Sequence, residues 1–166
     1  MPRRQRLNRR PATRRWLPAA VATLVVLPAV SGCAGPVTVV SAPDGTSDAC
    51  ADVIALLPAE LAGAARRETN GGAGTAAWGD PAILLRCGEE VVLRSTQPCV
   101  TVPGDSEEVD WVVLASDGSG SIVRTFGRDP SVEVEVPAAY GPAPLSVLPA
   151  LGEAVSAVPA TVVCTG

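Results

Sequence analysis

The cleanest pattern of apolar and polar positions lies between residues 109 and 136. Val132-Glu133-Val134-Glu135-Val136 alternates without a break, as a strand does when one face packs on a core and the other meets water. Two apolar runs precede it, at residues 109–114 and 122–126, separated by the polar stretch 116–121 and followed by Asp129-Pro130. Three such runs with short polar breaks predict an antiparallel meander. Upstream, Cys50, Val53, Ile54, Leu57 and Leu61 recur at helical spacing and predict an amphipathic helix over residues 48–62. Ser47 is its N-cap, Asp48 and Asp52 suit its positive end, and Pro58 marks a bend. Leu145, Leu148, Leu151 and Val155 predict a second helix over residues 145–157, made irregular by Pro149 and ended by Pro159.

Weaker patterns fill the gaps. Residues 82–87 read as a strand entered through the turn Trp78-Gly79-Asp80-Pro81, with Ile83, Leu85 and Cys87 on one face. Residues 90–95 read as a further strand, residues 37–40 as a short edge strand and residues 66–75 as a polar loop. Gly71-Gly72-Ala73-Gly74 has neither the preceding strand nor the following Lys-Ser/Thr of a phosphate loop. The expected fold class is α+β: a small single domain whose antiparallel meander is covered on one face by two helices and stapled by disulfides.

The first 32 residues follow a different pattern. Seven arginines and no acidic residue occupy residues 1–15, and an almost wholly apolar run follows to Val30. At about 15 residues, with Pro18 and Pro28, that run falls short of the ~20 needed to span a bilayer, so it reads as an export leader. Val30-Ser31-Gly32-Cys33 resembles the lipobox of bacterial lipoproteins, whose small residues admit a peptidase and whose cysteine thiol takes the acyl anchor. The expected organisation is a lipoprotein signal peptide at residues 1–32, a flexible tether at 33–46 and one domain at 47–166. Cys33 is the expected lipidation site. It places the protein on the extracytoplasmic face of the cell membrane, tethered by acyl chains such as palmitate. Thr13-Arg14-Arg15-Trp16-Leu17 partly resembles a twin-arginine signal, and both export routes stay open.

Removing the leader changes the charge. The whole chain carries 13 basic and 17 acidic residues, a net of −4, but seven of the basic residues lie in the leader, leaving six against 17, a net of −11. A domain this acidic is a poor candidate for binding nucleic acid, anionic lipid or anionic wall polymer through long-range attraction. The chain contains no histidine, which excludes Ser-His-Asp and Cys-His catalysis and histidine-ligated zinc. No cofactor and no metal are expected.

With Cys33 assigned to lipid, Cys50, Cys87, Cys99 and Cys164 remain. Four cysteines in an exported domain read as two disulfides with three connectivities. Loop-closure entropy, at roughly 3 to 4 kcal/mol for each candidate link, does not choose among them. If the Cys87 face of its strand meets the helix stripe, Cys50 is its natural partner.

Trp78-Gly79-Asp80-Pro81 and Leu85-Arg86-Cys87-Gly88 follow a helix carrying Cys50 and Leu57-Pro58. They precede Val109-Asp110-Trp111, Arg128, Val132-Glu133-Val134 and Pro137. Over about residues 48–157 this combination resembles the actinobacterial family of small exported proteins known as domain of unknown function 3515. The resemblance implies an envelope protein and brings no activity. Family members that keep only two cysteines keep those matching Cys50 and Cys87, which implies a Cys50–Cys87 disulfide and leaves Cys99–Cys164 to pin the tail. Gly88-Glu89-Glu90 departs from the family's proline-containing stretch, which bears on the strand read at residues 90–95. Members of such families are often encoded beside cell-wall precursor genes, which makes the wall the expected setting.

The expected function is a lipid-anchored, non-catalytic module that binds or scaffolds an envelope or cell-wall protein. Trp78, Asp80, Arg86 and Trp111 form its expected contact surface. The competing expectation is a carboxylate-based hydrolase of wall material using Asp80, Glu107, Glu108 or Asp110, since acid–base work requires two suitably spaced carboxylates. A calcium site over residues 105–110 is a lesser expectation, because its ligand order departs from that of an EF-hand.

Overall fold

A computed structural model describes residues 35–104, 107–141 and 146–165. Residues 1–34, 105–106, 142–145 and 166 lie outside the described residues, and with them the expected leader, the expected lipidation site Cys33, part of the acidic loop and Leu145 of the predicted second helix. The domain is built on an eight-stranded antiparallel sheet, with two helices and two disulfides.

The helix α1, Asp48–Leu56, starts where the sequence predicts, with the Ser47 hydroxyl accepting from the Cys50 amide at 3.3 Å. It ends six residues earlier than the periodicity suggests. Leu57, ahead of Pro58, is extended at φ −66° and ψ 139°, because a residue before proline is driven out of the α region. Leu61 still reaches the core, but from a strand. The strands are β1 (Glu60–Leu61), β2 (Ala64–Arg67), β3 (Thr75–Trp78), β4 (Ile83–Glu89), β5 (Cys99–Pro103), β6 (Glu108–Asp117), β7 (Gly120–Thr125) and β8 (Ser131–Pro137). A 3-10 turn, Leu148–Leu151, leads into the short helix α2, Gly152–Ser156. Pro149 sits in the first turn of that segment, where its missing N–H costs nothing.

The sheet order is β1-β2-β3-β4-β8-β7-β6-β5. The strands β6, β7 and β8 form the expected meander, and β5 extends it by pairing along β6 from Cys99↔Val112 to Pro103↔Glu108. A second meander, β1 to β4, is joined to the first where β4 pairs with β8, as in Leu85↔Val134 and Arg86↔Glu133. So β8, the last strand in the chain, lies in the middle of the sheet.

Three expectations are corrected here. The loop expected over residues 66–75 is partly strand: β2 and β3 flank a shorter loop. In β3, Thr75-Ala76-Ala77-Trp78 is buried at all four positions, so it lacks the alternation that marks a strand in sequence. Residues 90–95 form no strand and contribute a single bridge, Val92 to Phe126. Third, residues 37–45, expected as a flexible tether, are bonded to the domain. The Val37 amide donates to Glu68 O at 2.8 Å, Val39 to Asn70 Oδ1 at 3.0 Å and Asp44 to Gly88 O at 3.0 Å. Gly88, at φ 106°, lies so close to the Asp44–Gly45 backbone that a side chain would collide with it.

One core joins helix and strand residues. Cys50, Val53 and Leu57 of the first helical region and Leu148, Leu151 and Val155 of the second lie with Trp78, Ile83, Leu85, Trp111, Val123, Val132 and Val134. Among the described residues no helix is long and apolar enough to cross a membrane.

Candidate functional site

The two disulfides are Cys50–Cys87, which ties α1 to β4 with Cα atoms 5.5 Å apart, and Cys99–Cys164, which ties the C-terminal tail to β5. Both sulfurs of the first are fully buried, whereas Cys99 is exposed.

The four residues expected to share a contact surface do not form one. Trp78 and Trp111 are each 0% exposed. The Trp78 indole N–H donates to Pro58 O at 3.0 Å, anchoring β3 to the segment after α1. Apolar strands carry these large rings inward because each buries 150–250 Å². Asp80 is exposed on a turn held from both sides: Arg67 Nη1 donates to Gly79 O at 2.9 Å and the Tyr140 hydroxyl to Pro81 O at 2.9 Å.

Arg86 is engaged elsewhere. Its guanidinium pairs with Glu133 and lies 3.6 Å from Glu89. Arg124 approaches Glu133 from the opposite strand, with Nε donating to Oε2 at 3.0 Å, and also reaches Glu89 at 3.5 Å. Glu133, expected to face water with Glu135, is only 4% exposed. The reason is its place on the central strand: Arg86 of β4 and Arg124 of β7 are its cross-strand neighbours and close over it. Glu135, one step further along, is exposed. The pattern in sequence shows which way Glu133 points and cannot show what lies beside it.

The carboxylates considered for hydrolysis are separated by their partners. Glu107 accepts from Arg128 Nη2 at 2.6 Å, and this bond holds its carboxyl below the usual range. Arg128, 2% exposed, also donates to Val158 O, so it fastens the β5–β6 loop and the end of α2 to the turn before β8. Asp110 accepts from the Thr101 hydroxyl at 2.6 Å and from the Cys164 amide at 2.7 Å. Glu108 and Asp80 are exposed, on opposite meanders. Asp105 lies outside the described residues, and among the described residues no group of three or more acidic or sulfur ligands converges as a metal site would require.

A basic site that no sequence motif marked lies at the C-terminal end of β2, the strand between β1 and β3. Arg66 and Arg67 end β2 and, with Glu68, Thr69 and Thr75, line a cleft beside the N-terminal segment. Arg66 stacks over the Trp78 ring at 5.9 Å, and Arg67 Nη2 donates to Gly35 O at 3.1 Å. Neither belongs to an ion pair among the described residues, in contrast to Arg86, Arg124 and Arg128. The signal was present in sequence: of six arginines outside the leader, only these two are adjacent.

A family model described as "Protein of unknown function (DUF3515)" matches residues 17–162. No curated protein and no solved structure matches the chain.

Proposed function

Because the chain belongs to the DUF3515 family, whose function is unknown, we propose that it is a lipid-anchored, non-catalytic binding or scaffolding module of the cell envelope in a cell-wall setting. The observation that carries this reading is the entry of the chain into the fold at Val37, bonded to Glu68 only four residues after Cys33. An acyl anchor at Cys33 would hold a preformed sheet against the membrane, where a partner could find it. Binding is favoured over hydrolysis because Glu107 and Asp110 already hold the fold together through Arg128, Thr101 and Cys164.

In this reading the two helices cover one face of the sheet, which is supported by the core that Cys50, Val53, Leu151 and Val155 share with Ile83, Leu85, Val132 and Val134. The opposite face, bearing Arg86, Arg124, Glu133 and Glu135, is then free for an envelope or cell-wall protein.

Two measurements test the proposal. Cys33→Ser should abolish acylation and either release a disulfide-bonded domain from membranes or leave it unprocessed; a processed variant that stays membrane-bound refutes the anchor. Photo-crosslinking from Glu135 in intact membranes should capture a discrete envelope protein, and only background capture refutes the binding role.

A further inference from the structure

We propose that the C-terminal end of β2, with Arg66 and Arg67, docks on the anionic headgroups of the membrane that holds the lipid on Cys33. This rests on the reading of Cys33 as the anchor. Three residues separate Cys33 from Val37, so even a fully extended chain allows about 14 Å between the acylated residue and the first residue bonded into the fold. The segment that follows β2 is at that point: Val37 donates to Glu68 O at 2.8 Å, accepts from the Asn70 amide at 3.1 Å and bridges to Thr69. The Arg67 side chain reaches back along the incoming chain to Gly35 O at 3.1 Å.

Charge decides which groups can face the bilayer. With a net of −11 the domain as a whole is repelled by an anionic surface, over a screening length of roughly 8–10 Å at physiological salt. Among the described residues Arg66 and Arg67, like Arg94, are in no ion pair; Arg66 Nη1 donates to Ile54 O at 3.5 Å, Arg67 to Gly79 O and Gly35 O, and Glu68 is exposed beside them. Val40, 72% exposed and three residues from Val37, adds an apolar side chain at the same end. A basic residue near an anionic bilayer gains ~1 kcal/mol, about a fivefold preference, while two acyl chains supply the stable attachment. The lipid holds the protein there, and the two arginines, on opposite faces at the end of β2, set which end of the sheet faces down.

The test uses the full-length protein, processed and acylated in its host and reconstituted into vesicles of phosphatidylcholine alone or with 30% phosphatidylglycerol. Mass analysis of the N-terminal peptide and vesicle flotation report the anchor; hydrogen exchange reports docking. Residues 64–70 are expected to exchange more slowly on the phosphatidylglycerol vesicles only, with the protection lost at high salt. Arg66→Gln/Arg67→Gln should abolish that protection, and Arg66→Lys/Arg67→Lys, which keeps the charge without the guanidinium bonds, should retain it. Arg94→Gln should leave it unchanged. An acylated protein that floats but shows equal exchange on both vesicles overturns the docking alone. Protection that is equal and salt-insensitive on both points to apolar insertion and also overturns it. A chain with no lipid on Cys33 overturns the docking together with the anchor. If the Gln variant unfolds, the Lys variant and the salt series decide.

Discussion

Glu133 lies on the middle strand with an arginine on either side, so its carboxylate ties β8 both to its neighbour in sequence, β7, and to β4, whose Arg86 is 47 residues away. Removing its charge leaves the two guanidinium groups, in a mostly buried setting, with only their longer contacts to Glu89, at 3.6 and 3.5 Å, among the described residues. Glu133→Gln should lower stability by roughly 2–3 kcal/mol, at the low end for a broken buried pair because both arginines keep some solvent contact; urea unfolding measures it. Glu107 makes a different prediction, in pH. Its carboxyl titrates below its ordinary 4.5 because Arg128 binds the charged form. A depressed folded value means the contribution is complete above 4.5 and is lost as pH falls through the folded value. Wild type should therefore melt above Glu107→Gln at neutral pH, with the two curves converging below pH 4.5.

At the scale of elements, α1 is held from three sides: a side-chain cap at Ser47, a stop at Pro58 and the buried disulfide from Cys50 to β4. The Cys50–Cys87 link closes 37 residues and its loss should cost about 4 kcal/mol by loop-closure entropy. Cys99–Cys164 closes 65 and has a similar entropic value. The two should still differ, since Cys50 and Cys87 are fully buried and their truncation also opens a void, while Cys99 is exposed. Urea unfolding of Cys50→Ala/Cys87→Ala and Cys99→Ala/Cys164→Ala should place the first variant lower. Element boundaries followed what was local. The helix start and the three strands of the meander were readable because a cap and a period of two are contained in a few residues. The strand β3 was not, because two alanines between Thr75 and Trp78 carry neither alternation nor β-branching, and burial on both sides makes it a strand anyway.

For the whole molecule, the consequence is that the N-terminal segment belongs to the domain. Residues 37–45 should resist limited proteolysis until the sheet itself unfolds, and the Val39 and Asp44 amides should exchange slowly, through the bonds to Asn70 and Gly88. The wider stretch 33–46, with its alanines, glycines, prolines and serine, reads as a linker; glycine partners across the chain make residues 37–45 a packed strap.

The amino-acid sequence by itself determined local features: where α1 begins and the inward Val132, Val134 and Val136, whereas the helix read through to residue 62 in fact ends ahead of Pro58. Each depends on neighbours within a turn or a strand. Only the tertiary structure decided that β8 lies between β4 and β7, that Glu133 is enclosed by two arginines, that Trp78 and Trp111 are core anchors and that Arg66 and Arg67 keep their charge unpaired beside the incoming chain. Periodicity states which way a side chain points; which strand lies alongside is set by long-range pairing, and that pairing determines whether a charge meets water, a counter-ion or nothing.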